Sequence, residues 1–146
     1  MFFSIFGPCV LAPLIIVGTA SDAPLNTTGR TLAGDSIASA GDFVDFGNLQ
    51  SSRREVMTAA SPTRGIIACG QDPSSGNQGV NIIEFVTTAT TGNTSDFGDM
   101  TVGVRHIDSM NSSTRCVIPG GWKHPEGNTN VIQYITFATT GNAQDF

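Results

Sequence analysis

The chain has 146 residues, enough for one domain with a hydrophobic core of useful size. Its 7 Lys+Arg and 12 Asp+Glu make it 13% charged, where about 25% is usual, and the net charge of −5 argues against a broad phosphate-binding face, so nucleic acid is not an expected partner. Gly, Thr, Ser and Asn are abundant while Lys and Glu are scarce, a strand-and-turn composition that excludes a helical bundle or coiled coil.

Residues 1–30 open with the apolar run MFFSIFGPCVLAPLIIVGTA. No Lys or Arg precedes Arg30, so the positive region of a secretory signal is missing. Pro8 and Pro13 interrupt the run and make it a poor membrane span. A stretch this apolar must be covered, because exposed in water it would form a patch larger than soluble surfaces carry. We read 1–30 as an assembly or anchoring segment, with an extra strand on the domain's own core as the plainer alternative.

Residues 31–146 are repetitive, and a repeat decides the fold more firmly than local propensity does. Asp45-Phe46-Gly47-Asn48 returns as Asp96-Phe97-Gly98-Asp99, and Asp145-Phe146 repeats the first two letters, at spacings of 51 and 49 residues. Ser61-Pro62-Thr63-Arg64 matches Ser112-Ser113-Thr114-Arg115, and Asn81–Asn93 matches Asn130–Asn142 with eight of thirteen positions identical. We divide this part into a half unit (31–44) and two repeats (45–95 and 96–146). Within a repeat, Ile82, Glu84 and Val86 alternate with Ile83, Phe85 and Thr87, a strand with two largely apolar faces, as in a sheet held between layers. Gly65–Gly70 and Cys116–Gly121 read as short inner strands, and further strands are expected around Leu49–Met57 and Met100–Ile107. Turns are expected at Asp72–Asn77 and Lys123–Asn128. The fold class is all-β, about two and a half four-stranded units.

Cys9, Cys69 and Cys116 show neither CxxC spacing nor nearby His ligands, so inert thiols are expected and no metal or other cofactor. Asp96–Asp99 spells DFGD, but without a Gly-rich loop or catalytic-loop motif it reads as a structural turn. His106 and His124 stand apart from any nucleophile or carboxylate set. Asp96, Asp99 and Asp108 could form a hydrolase pair only if an oligomer assembled them, so no enzymatic activity is expected. Trp122, Lys123 and His124 form a loop cluster with no counterpart at Gln71 and Asp72, and an aromatic with polar neighbours is a possible ligand contact, for a glycan above all. Arg54/Arg105 and Arg64/Arg115 recur in register with Asp45/Asp96, pointing to ion pairs or arginine-to-carbonyl bonds between strands.

The glycine doublet Gly120-Gly121 (Cys69-Gly70 in the first copy) followed by Trp122 resembles the kelch-type propeller blade. The combination of Ser112-x-Thr114-Arg115, Gly120-Gly121 and Asn130-x-Ile132-x-Tyr134-x-Thr136-x-Ala138-Thr139-Thr140-Gly141-Asn142 with DF resembles a repeat of virion structural proteins from aquatic tailed phages, of cyanophage type, over about residues 37–146. That resemblance implies a non-enzymatic virion or extracellular protein (decoration, fibre or tail component), with Asp45, Phe46, Gly47, Arg64, Asp96, Phe97, Gly98, Arg115, Gly120 and Gly121 as repeat-structural positions. Glycan binding to a host surface is the alternative role. Since propellers take four to eight blades, the fold is expected to be completed by oligomerisation, as a homo-oligomer (three copies giving six blades) or a filament alongside other virion proteins.

Overall fold

The computed structural model describes residues 13–17, 31–36 and 44–146 apart from Asn77, with side chains from Asp45 onward except that of Ser75. The described residues form an all-β protein built from antiparallel sheets. Strands β1 (Pro13–Val17), β2 (Thr31–Ser36) and β3 (Val44–Asn48) make the first sheet, in the order β1-β2-β3. A second sheet runs β4 (Met57–Ala60), β5 (Arg64–Ala68), β6 (Val80–Thr87) and β7 (Ser95–Val104), each strand paired with its chain neighbour. In the third, β8 (Met110–Asn111) and β9 (Arg115–Pro119) are followed by a small hairpin, β10 (Trp122–Lys123) with β11 (Gly127–Asn128). β12 (Ile132–Thr136) and β13 (Gln144–Asp145) then complete the order β13-β12-β9-β8.

The three sheets share one register. Ala33 pairs with Asp45, Glu84 with Asp96 and Gln133 with Asp145, and Pro13, Arg64 and Arg115 open the corresponding strands β1, β5 and β9. β1 lies inside the apolar opening segment and pairs with β2 from Pro13↔Ser36 to Val17↔Leu32, so the sheet fold extends across residue 30. The other residues of 1–30, with the anchoring role read for them and with Cys9, lie outside the described residues, as do 37–43 of the half unit.

Local chemistry explains the repeated letters. In Ser61-Pro62-Thr63-Arg64 the serine hydroxyl accepts from the N–H groups of Thr63 (3.3 Å) and Arg64 (3.0 Å), while Ser61 N–H donates to the Arg64 carbonyl (2.8 Å). Ser112 does the same for Thr114 (3.2 Å) and Arg115 (3.1 Å). Each motif is a side-chain-closed hairpin turn, a role for which a short hydroxyl is suited. After β5 and β9 the chain leaves the sheet through two successive left-handed residues, Cys69-Gly70 (φ 57°, 98°) and Gly120-Gly121 (φ 69°, 110°), which is what the glycine doublet supplies.

Two expectations need correction. Leu49–Met57 is not a strand: the chain bridges there only at Arg54 with Gln71, and the strand begins at Met57. Asp96–Asp99 is not a turn either, since it lies within β7, whose regular pairing is displaced beside Glu84↔Asp96.

The sheets pack face to face. On one side of the second sheet, Ile67 and Val86 join Phe46 and Leu49 from the first sheet's end. On its other side, Ala59, Ile66, Ile83 and Phe97 join Cys116, Ile118, Ile135 and Phe137 of the third. The double-sided apolar pattern of β6 is therefore used on both faces, each buried aliphatic side chain contributing about 1.5–3 kcal/mol.

Candidate functional site

The residues that recur most faithfully meet at the joints between sheets. Gly92 N–H donates to the Phe46 carbonyl (2.7 Å) and Thr94 N–H to the Asn48 carbonyl (3.0 Å). The side-chain oxygen of Asn93 accepts from Asn48 N–H at 3.0 Å. At the next joint Gly141 donates to Phe97 (2.7 Å), Ala143 to Asp99 (2.8 Å), and Asn142 Oδ1 accepts from Asp99 N–H (3.0 Å). The Asp-Phe-Gly stretch in the last strand of one sheet is thus clasped by the Thr-Thr-Gly-Asn loop of the following sheet.

Glycine is required in the clasp because the two backbones touch. A Cβ on Gly47 would lie 2.1 Å from the Gly92 carbonyl oxygen, and one on Gly98 2.5 Å from the Gly141 carbonyl. Asp45 orients its own joint by accepting from Gly47 N–H at 3.1 Å. Phe46 and Phe97 drop into the two intersheet clusters, so each Asp-Phe-Gly supplies an apolar plug and a main-chain contact surface.

The repeated arginines work at the same joints. Arg64 lies 4.6 Å above the Phe85 ring and donates to the Phe137 carbonyl of the third sheet at 2.7 Å. Arg115 lies in the equivalent place, 4.5 Å above Tyr134. An arginine-to-carbonyl bond was one expectation from the recurrence, and Arg64 makes it.

Arg53, which the sequence reading did not single out, forms with Glu84 a fully buried ion pair among the described residues. Its guanidinium meets Glu84 at 2.9 Å with both side chains fully buried, and it donates to the carbonyls of Cys69 and Ile82 (3.2 Å each). Burial pushes the Arg53 pKa down, and Glu84 opposes that shift by favouring the charged form. Glu84 also accepts from the Thr94 hydroxyl at 2.7 Å, which ties the pair to the clasp loop. Arg53 is followed directly by Arg54 and Glu55, and three adjacent charged residues give no sequence signal of which one is buried.

Trp122, Lys123 and His124 come together around β10. Arg105 lies 4.3 Å above the Trp122 ring, and the His124 ring approaches it edge-on at 5.6 Å. Lys123 pairs with Glu126 at 3.2 Å. One face of the indole is therefore occupied by the chain itself, while Trp122 stays half-buried and His124 exposed.

Cys69 and Cys116 are free and buried, and burial pushes their thiols up to about 12 and about 11. They stay protonated and unreactive at neutral pH. Asp96, Asp99 and Asp108 are exposed, and among the described residues no group of three His, Cys, Asp or Glu is placed to hold a metal ion. A hollow of about 120 Å³ beside Phe97, Tyr134 and Asn142 is smaller than the roughly 300–1,000 Å³ of ordinary small-molecule sites. No helix among the described residues is long and apolar enough to cross a membrane. No protein-family model matches the chain, and no curated protein does either.

Proposed function

We propose that this chain is a non-enzymatic structural protein of a virion, a decoration, fibre or tail-associated component in which kelch-like units serve as building elements. One observation carries the reading: the residues that define the repeat are spent on unit-to-unit joints. Asp-Phe-Gly and Thr-Gly-Asn form the clasp, and Arg64 reaches from the second sheet to the third. A binding or catalytic repeat would be expected to hold its recurring polar groups free for a ligand.

The four-stranded meanders are consistent with propeller blades. Taking the three larger sheets of the described residues as blades, two copies make a six-bladed ring, whereas two full repeats per chain make the same ring from three copies. The virion localisation rests on the phage resemblance.

Peptides of this chain are expected in density-purified phage particles by mass spectrometry. Their confinement to host-cell fractions would overturn the virion assignment. A glycan array separates the scaffold from the alternative, a module contacting host polysaccharide. A scaffold gives no selective signal, whereas selective hits abolished by Trp122→Ala would move the function to the β10 cluster.

A further inference from the structure

Resting on that scaffold reading, we propose that the outer face of the third sheet is a docking surface for a second copy of this chain, which lays its first sheet there head to tail. The large apolar side chains exposed among the described residues are Met110 (65%), Ile132 (42%) and Phe146 (71%). All three hold register positions that the second sheet buries, those of Ala59 (2%), Ile83 (0%) and Phe97 (3%). In the second sheet that face is covered by the third. In the third it forms a single-sided pattern: Cys116, Ile118, Gln133 and Ile135 are buried, and the alternate residues of β9 and β12 face outward.

The polar part of the joint is repeated as well. Arg115 lies over Tyr134 as Arg64 lies over Phe85, and its side chain is exposed at the place where Arg64 meets a carbonyl of the next sheet. Phe146 stacks edge-on against Tyr134 at 6.1 Å, as Phe97 does against Phe85. The surface therefore repeats the Ala59, Ile83, Phe97 and Arg64 positions of one already seen filled.

The register of the first sheet identifies its occupant. A sheet covers its predecessor with the positions of Ile67 in the second and of Cys116 and Ile118 in the third. At those positions β1 carries Leu14 and Ile16, paired with Asp35 and Ala33. In a second copy these register positions match the face that ends the third sheet. The contact is head-to-tail between unlike faces, which gives a ring if the rotation closes and a filament if it does not.

Size exclusion with light scattering on the 146-residue chain tests this. The wild type is expected at twice its 15.2 kDa or more. Met110→Asp combined with Ile132→Asp is expected to halve that mass or reduce it further to the single chain, with an unchanged circular dichroism spectrum, because both side chains are already exposed in one chain. An Ile16→Asp variant is also expected as a single chain, and mixing it with the Met110→Asp/Ile132→Asp variant restores one intact joint and a doubled mass. A wild-type chain that stays single overturns the proposal. A wild-type oligomer unaffected by the paired aspartates overturns this surface while leaving assembly itself in place, and the particle measurement decides the scaffold reading independently of both.

Discussion

Ile83 and Ile132 occupy one register position in two successive sheets, yet the first is fully buried and the second is open to solvent. Polar residues differ just as sharply. Beneath the second sheet the buried pair is Arg53 with Glu84, whereas beneath the third the corresponding positions hold Val104, at the end of β7, and Gln133. Gln133 accepts from both the N–H and the hydroxyl of Thr101 at 2.7 Å, the role Glu84 plays toward Gln50 N–H (3.4 Å). Outside the sheets, Arg54 hydrogen-bonds to Gln71 where Arg105 stacks on Trp122. The comparison teaches that the packing chemistry of a unit is exchanged in matched pairs while its backbone joints stay constant.

The largest effect is expected from breaking one half of such a pair. Glu84→Ala leaves the Arg53 charge buried without its partner and should cost about 3–5 kcal/mol in chemical denaturation. The exchange Arg53→Val with Glu84→Gln copies the third sheet, and should instead be near neutral or stabilising. A loss equal to that of the single variant would mean that the two sheets are not interchangeable at this position.

Next come the two isoleucines. In the dissociated chain Ile83→Ala should cost about 2–5 kcal/mol, as a cavity in a filled core does. Ile132→Ala should stay within about 0.5 kcal/mol, as exposed substitutions do. Equal costs would show that the third sheet's outer face is covered within a single chain.

The clasp gives a smaller contrast. Gly98→Ala places a methyl group against the Gly141 backbone and should cost about 1–3 kcal/mol. Gly92→Ala, whose added carbon meets no atom within 4 Å, should remain within about 0.5 kcal/mol. Among the variants that break a contact, the smallest cost is that of Asn142→Ala, which removes one exposed hydrogen bond to Asp99 N–H and should cost about 0.5–1.5 kcal/mol in thermal unfolding.

Much of this architecture is legible in the sequence, because strand alternation and a repeat near fifty residues leave few alternatives to stacked antiparallel units. The double apolar face of Ile82–Thr88 correctly indicates a sheet between two layers. The same pattern in Val131–Thr136 says nothing of its open face, since periodicity records what a face is suited to and not what covers it. β1 was legible only as the plainer alternative of an extra strand, for a related reason: a continuously apolar stretch carries no strand period, and its pairing partners in Thr31–Ser36 are mostly small or polar. The partnership of Asp-Phe-Gly with Thr-Gly-Asn was hidden differently. The two motifs are neighbours in sequence, but each bonds to its counterpart in the adjoining unit, 43 to 45 residues away. A repeat that preserves small and polar letters more faithfully than apolar ones is the signal that could have revealed it.

The clasp has a consequence for how such a chain can change over time. Because it is made of main-chain donors, main-chain acceptors and one amide side chain, it sets the pitch from sheet to sheet without reference to the residues between. Whole units are therefore interchangeable parts: one can be duplicated, deleted or exchanged at an Asp-Phe-Gly boundary, and the new neighbours will still find their seams. The length of such a chain is free to drift by multiples of a sheet while each joint keeps its geometry.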